Sequence, residues 1–200
     1  MAGNRWLEQV ERNPDHSAWY IERFRSMERA GDDIVGEARL IDAMVARGSR
    51  VLDAGCGPGR TGGYLARQGH FVVGVDIDPA LIAAAEEDHP EATWIVADLS
   101  EFDLSRAGIT DGFDIAVCAG NVMTFVDPTT RQAVLERIAA HLRASGRLVI
   151  GFGAGRDYSF DDFFADVDQA HLRPDFLFST WDLRPFDDAS DFLVAVLSRH

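Results

Sequence analysis

The chain has 200 residues, 46% of them hydrophobic, with a formal net charge of −14 and no lysine. That is enough apolar content for a core in a single domain, and the bulk field repels a phosphate backbone or an anionic bilayer. The two cysteines, Cys56 and Cys118, are too few for a disulfide scaffold and lack metal-ligand spacing, and no apolar run approaches the roughly 20 residues of a membrane span or forms a signal peptide. These features argue against nucleic-acid, membrane and metal partners and for a cytoplasmic protein, with its oligomeric state left open.

The first fifty residues predict two short helices. In "HSAWYIERFRSMERA", Trp19, Tyr20, Phe24 and Met27 recur at helical spacing; "DDIVGEARLIDAMVARG" repeats the pattern and stops at Gly48. From Arg50 the pattern changes to "RVLDAG", "HFVVGVDI", "TWIVADL", "FDIAVCAG" and "RLVIGF", runs so nearly apolar that they predict strands covered on both faces. Helices are expected between them. Asp78-Pro79 opens "PALIAAAEEDH", and Asp127-Pro128 opens "PTTRQAVLERIAAHLRA" with Gly146 as its stop; each places an acid at the N-cap and proline at the first helical position. Alternation of strand and helix implies a parallel, doubly wound α/β sheet. A last helix follows in "YSFDDFFADVDQAHL". The strands "FLFSTWDL" and "DFLVAVLSRH" are then separated only by "RPFDDAS", too short for a crossover, so they predict an antiparallel hairpin. The expected division of the single domain is a helical cap at 1–49, a ligand-binding core at 50–152 and the tail at 153–200.

Chemistry concentrates in "DAGCGPGRTGG", Asp53 to Gly63. In an open parallel sheet, ligands bind beyond the carboxyl ends of the strands where the strand order reverses, and this loop follows the first strand. Glycines at 55, 57 and 59 remove Cβ atoms that hold a ligand away from the main chain and permit positive φ. Asp76 ends the second strand, where a carboxylate accepts both hydroxyls of a ribose; Asp98 ends the third, within reach of an adenine amine. These residues outline an adenosine site. Two cofactor readings stay open. Gly57, Gly59 and Gly62 satisfy the dinucleotide pattern GxGxxG, which supports an NAD(P)-dependent oxidoreductase. That pattern, however, starts four residues beyond Asp53, and a pyrophosphate there meets a carboxylate. An acid at the strand end suits a cationic ligand such as S-adenosylmethionine.

The stretches "VLDAGCGPGRTGGYLA", "GVDID", "VADL" and "FDIAVCAGNVMTFV" resemble, in order and spacing, the cofactor motifs of the class I S-adenosylmethionine-dependent methyltransferases. The resemblance covers roughly residues 50–152 and implies that family's Rossmann-like seven-stranded sheet and S-adenosylmethionine as cofactor. It implies that Asp53 orients the loop, with Gly55, Cys56, Gly57 and Gly59, and faces the methionine ammonium. Asp76 would hold the ribose and Ile77 would pack on the adenine, while Asp98 and the Leu99 amide would bond its edge. Ala119, Gly120 and Asn121 would lie beside the methionine portion, whose carboxylate Arg60 would pair.

Methyl transfer from a sulfonium is an in-line displacement for which a dedicated base is optional, so the motifs leave the acceptor open. Short connections and an acidic chain favour a small molecule; a non-catalytic S-adenosylmethionine-binding protein is the other reading. Candidate acceptor contacts are Tyr20 and Arg23 from the first helices, Met123 beside the fourth strand, and Arg156 and Tyr158 after the fifth. Neither His16 nor His171 has an identifiable partner, and no catalytic base is assigned. Acids at Asp161 and Asp162 suit a helix's first turn.

Overall fold

The computed structural model describes residues 3–200. Three helices, α1 (Arg5–Arg12), α2 (His16–Ala30) and α3 (Gly36–Met44), precede β1 (Arg50–Ala54). Then follow α4 (Arg60–Arg67), β2 (Phe71–Asp76), α5 (Pro79–Asp88), β3 (Thr93–Val96), β4 (Phe113–Cys118), α6 (Val122–Phe125), α7 (Arg131–Ala140), β5 (Leu142–Gly153), α8 (Phe160–Gln169), β6 (Leu172–Phe178) and β7 (Phe192–Arg199). The seven strands form one sheet in the order β3-β2-β1-β4-β5-β7-β6, parallel except for β7, which runs antiparallel to both neighbours. The predicted doubly wound α/β sheet and terminal antiparallel pair are both present. Strand order reverses between β1 and β4, and their register brings Asp53 opposite Val117 at the carboxyl edge.

Alternation along each central strand sends successive side chains to opposite faces. Leu52, Val73, Ala116, Leu148 and Ala195 face one apolar layer with Leu135 and Ile138 of α7 and Phe163 of α8. Val51, Val72, Val117, Val149 and Val194 face the other, with Ile41 of α3 and Leu65 of α4. Each of these larger side chains is almost fully buried, worth about 1.5–3 kcal/mol apiece relative to exposure. The edge strand β3 buries only Trp94 well, which packs with Cys56, Ile82 and Ala85.

Several boundaries depart from the periodicity. α1 has no counterpart among the two expected helices; Asn4 caps it, its side chain accepting the Trp6 amide at 3.0 Å. α3 ends at Met44, short of Gly48. Asp127 does not cap α7: its side chain accepts the Thr129 amide and hydroxyl in a turn, and the helix begins four residues later. Gly146 is no helix stop but lies inside the twelve-residue β5, its hydrogen facing the Phe113 carbonyl, where a Cβ would approach to 2.8 Å. β6 begins at Leu172 rather than Phe176 and ends at Phe178, ahead of "STWDL", so the turn to β7 is longer than "RPFDDAS". Two other helix starts are capped by side chains: Asp78, as expected, accepts the Ala80 amide at 2.8 Å, and Ser159 accepts that of Asp162 at 3.0 Å.

Gly74, in the middle of β2, is where Trp94 lies across the sheet; an added Cβ would stand 2.3 Å from the indole and 3.0 Å from Cys56 Sγ. Gly74→Ala therefore overpacks this corner and is expected to destabilise the fold by about 1–3 kcal/mol, read as a lowered midpoint in urea with an unchanged slope; an unshifted midpoint would show that Trp94 has room to move.

Candidate functional site

A cleft of about 540 Å³ opens beyond the carboxyl ends of β1 to β4. Its floor is the turn from β1 into α4, made in five residues because Gly55, Gly57 and Gly59 adopt φ of +78°, +54° and +81°. Only Gly57 presents a bare α-carbon to open space, the nearest atom to an added Cβ being Tyr20 Cε1 at 3.8 Å. A Cβ on Gly55 would strike Val122 at 2.5 Å, and one on Gly59 would meet Ala85, His89 and Trp94 at 2.9 Å. The glycine run is thus only partly a ligand surface. Gly55, Cys56 and Gly57 line the cleft, whereas Gly59, expected there, instead makes room for the protein's own side chains.

The amides of this loop are already spoken for. Those of Gly55 and Cys56 donate to the Val75 carbonyl at 2.8 and 3.1 Å, and that of Gly59 to Cys56. The Gly57 amide donates to Asp76 Oδ2 at 2.9 Å and the Gly62 amide to Asp53 Oδ2 at 2.8 Å. A pyrophosphate would meet three carboxylates and a loop with its amides engaged, which removes the dinucleotide reading. A cationic ligand meets a favourable set of acceptors. Asp53 is only 2% exposed, and its second oxygen takes no hydrogen bond from the protein. Burial pushes its pKa up to about 7, with the nearby Arg60 working the other way.

Asp76 is less free than a pure ligand acid: its Oδ1 also accepts the Asp78 amide at 3.0 Å, so the carboxylate braces both loops while each oxygen keeps a lone pair for the cleft. Burial raises its pKa too. Asp98 is exposed, and its Oδ1 takes the Ser100 amide and hydroxyl, both at 2.8 Å. Ile77 and the buried Leu99 add apolar walls. At the end of β4, Ala119, Gly120 and Asn121 complete the rim; a Cβ on Gly120 would meet nothing within 4 Å. Asn121 takes the left-handed φ of 65°, and its Oδ1 accepts the Gly153 amide at 2.8 Å, pinning this turn to the end of β5.

The N-terminal helices form the remaining wall. Tyr20, Arg23 and Phe24 of α2 line the cleft, as does Trp6 of α1. The Trp6 ring lies 5.0 Å from that of Tyr20 and 6.0 Å from Phe125, edge-on to both. Burial raises the Tyr20 pKa, keeping its hydroxyl a proton donor. Sequence reasoning missed Trp6, Phe24, Phe125 and Glu37. For Trp6 a signal existed in Asn4 preceding a short amphipathic stretch; for Glu37 there was none, because its role depends on Arg60 from another helix.

Three expected contacts are corrected. Arg60 is not an available cation: Glu37 takes both its Nη groups at 2.8 and 2.9 Å, and the Ile34 carbonyl accepts from it as well. Met123 points into the core, fully buried, while its neighbour Val122 faces the cleft. Tyr158 is 1% exposed under the Arg131 guanidinium, stacks on Phe152 and donates to Asp166 at 2.6 Å. Of that loop, Arg156 alone reaches the cleft. His16 packs between Trp6 and Trp19, and neither it nor His171 lines the cleft. Cys56 and Cys118 are free and buried, and burial raises both thiol pKa values. Among the described residues no helix is long and apolar enough to cross a membrane.

The methyltransferase-domain family matches residues 51–146. The crystal structure of a TehB-like S-adenosylmethionine-dependent methyltransferase from Corynebacterium glutamicum superposes with a TM-score of 0.89 at 50% identity, over 94% of this chain and 100% of that one. The 18S rRNA (guanine-N(7))-methyltransferase of Mus musculus is 39% identical over 64 residues, 32% of this chain and 23% of the mouse protein. The magnesium-protoporphyrin O-methyltransferase of Rhodobacter capsulatus is 31% identical over 132 residues, 60% of this chain and 58% of that protein. The chain thus spans less than two thirds of the length of either curated relative. With an acid-lined cleft at the switch point of this sheet, and 50% identity to the Corynebacterium protein over 94% of this chain and the whole of that one, the chain belongs to the class I S-adenosylmethionine-dependent methyltransferases.

Proposed function

We propose that the protein transfers a methyl group from S-adenosylmethionine to a small-molecule acceptor, within a single domain whose residues 50–152 hold the cofactor. The observation that carries this reading is the pairing of carboxylates at three strand ends with a loop whose amides are internally satisfied: the site favours a ligand with positive charge over one with phosphates. When bound, that cofactor supplies a methyl group on a sulfonium, a leaving group that needs no further activation.

The chain's part is to bind, orient and exclude water. Asp76, braced by Gly57 and Asp78, presents its remaining lone pairs to the ribose hydroxyls, Ile77 and Leu99 wall the adenine, and the unpartnered Asp98 oxygen takes its amine. Asp53 and the Ala119 carbonyl face the ammonium, and Gly57 and Gly120 allow close approach of the main chain. Trp6, Tyr20, Phe24 and Phe125 shield the transfer from bulk water and hold the acceptor nucleophile in line with the methyl group, where orientation supplies most of the rate. No histidine lines the cleft among the described residues, and burial keeps the Tyr20 hydroxyl protonated, so no side chain is assigned as a catalytic base. The aromatic walls and the charge of −14 support a small acceptor over a polyanion. The two reduced, buried thiols suit a reducing cytoplasm.

Calorimetric titration with S-adenosylmethionine, S-adenosylhomocysteine and NAD tests the cofactor: the two sulfur nucleosides should bind and NAD should not, and the reverse would overturn the proposal. S-adenosylhomocysteine release with a panel of acceptors separates an enzyme from a binding protein. Asp98→Ala should cost about 1.5–3 kcal/mol of cofactor affinity, the scale of a hydrogen bond to a charged group, with the unfolding midpoint shifted little because the carboxylate is exposed; undiminished affinity would remove Asp98 from the adenine site.

The raised pKa of Asp53 has a definite sign. Between the unfolded value of about 3.9 and the folded value of about 7, the native state holds a proton that the unfolded chain has lost. Folding stability therefore declines as pH rises through that window. Affinity for the cationic cofactor runs the other way, because it requires the ionised carboxylate: it should fall about ten-fold per pH unit below the folded pKa and level off above it. In Asp53→Asn, which keeps an acceptor for the Gly62 amide, both slopes should flatten; persistence of either in calorimetry or denaturant melts at pH 5.5–8.5 would assign it to another group.

A further inference from the structure

The charged residues lining the cleft separate into two sets. Asp53, Asp76 and Asp98 stand at the strand ends, where they suit a cation. Among the rest, Glu37 and Arg60 neutralise each other and Asp33 is held by Arg39. What remains is positive: Arg23 of α2 and Arg156 of the bend between β5 and α8, both exposed.

Their lack of a partner is unusual in this molecule. Most arginines pair with an acid, and Arg50, Arg131, Arg147 and Arg199 donate to backbone carbonyls. Among the described residues only Arg23, Arg156 and the exposed Arg137 of α7 have a guanidinium with neither an ion pair nor a hydrogen bond. Acids are in large excess in this chain, so two cations without one at the same cleft make a local positive region in a repulsive bulk field, where an anion entering the cleft is held. Arg23 lies one turn beyond Tyr20, its guanidinium 5.6 Å from the Phe24 ring centre. Arg156 Nε stands 3.7 Å from the position of a Cβ on Gly153, the residue whose amide Asn121 holds at the end of β4. Arg23 thus borders the aromatic wall, and Arg156 lines the same cleft beside the end of β5.

We infer that the methyl acceptor is an aromatic or apolar molecule bearing a carboxylate or phosphate, held at the cleft mouth by Arg156 and Arg23. The inference rests on the methyl-transfer reading above and names its substrate class. The test titrates protein saturated with S-adenosylhomocysteine against 2-naphthoate, 2-naphthyl phosphate and 2-naphthamide, followed by NMR. At least one anion should bind ten-fold or more tightly than the amide, and which one does so distinguishes carboxylate from phosphate. Arg156→Gln should reduce that anion to the level of the amide while leaving affinity for S-adenosylhomocysteine unchanged. Equal binding of all three ligands, binding of none, or an Arg156→Gln variant with wild-type preference would overturn the inference. An Arg23→Gln variant that loses S-adenosylhomocysteine affinity rather than anion affinity would assign Arg23 to the cofactor's own carboxylate and overturn its share. Failure of S-adenosylhomocysteine to bind the wild-type protein would sink the methyl-transfer reading first, and the same naphthyl titrations on the free protein would still report the anion preference.

Discussion

A relay of buried carboxylates holds this site together. Asp53 fastens the start of α4 through the Gly62 amide, and Asp76 fastens the middle of the glycine loop through Gly57. Asp76 also takes the amide of Asp78, whose own carboxylate receives the Trp6 indole N–H at 2.7 Å and the Ser17 hydroxyl. A continuous path of hydrogen bonds therefore runs from the cleft floor to the helices that wall it. Uncompensated charge in such a position would be costly, and here each buried carboxylate is met by main-chain or side-chain donors, the condition under which burial is tolerated. One consequence is mechanical: α1 and α2 are registered on the same turn that positions the proposed ribose acid, so the wall and the floor of the cleft are not independent bodies.

How much of this was legible in the sequence depended on whether the determinant was local. The strands were readable because two apolar layers demand continuous runs, and Val51 and Leu52 can go to opposite layers without changing the composition. The switch-point loop was readable because left-handed backbone selects glycine. What the glycines face was not readable: whether a bare α-carbon meets a ligand or Trp94 depends on β3, far along the chain. The turn at Asp127-Pro128 imitated a helix start because an Asx turn and an N-cap use the same side-chain acceptor, and only the following residues decide between them. Tyr158 shows the same limit, since a polar residue in a glycine-rich bend looks exposed until Phe152, Arg131 and Asp166 are seen to enclose it.

Arg60 illustrates a partner that only the packing of one helix on another supplies. It begins α4, where the helix dipole disfavours a cation, and it sits beside Phe24 in a largely buried position. A guanidinium there requires a compensating acid, and Glu37, in the first turn of α3, supplies it through two hydrogen bonds while an anion at that helix start is itself favoured by the dipole. One pair thus corrects the electrostatics of α4 and docks α3 against it. Burial alone would discharge both groups, yet the hydrogen bonds outweigh it, holding the Glu37 pKa down and the Arg60 pKa up. The cation that the sequence offered to a ligand is consumed in building the wall, and the net charge left to the cleft is set by the residues that found no such partner.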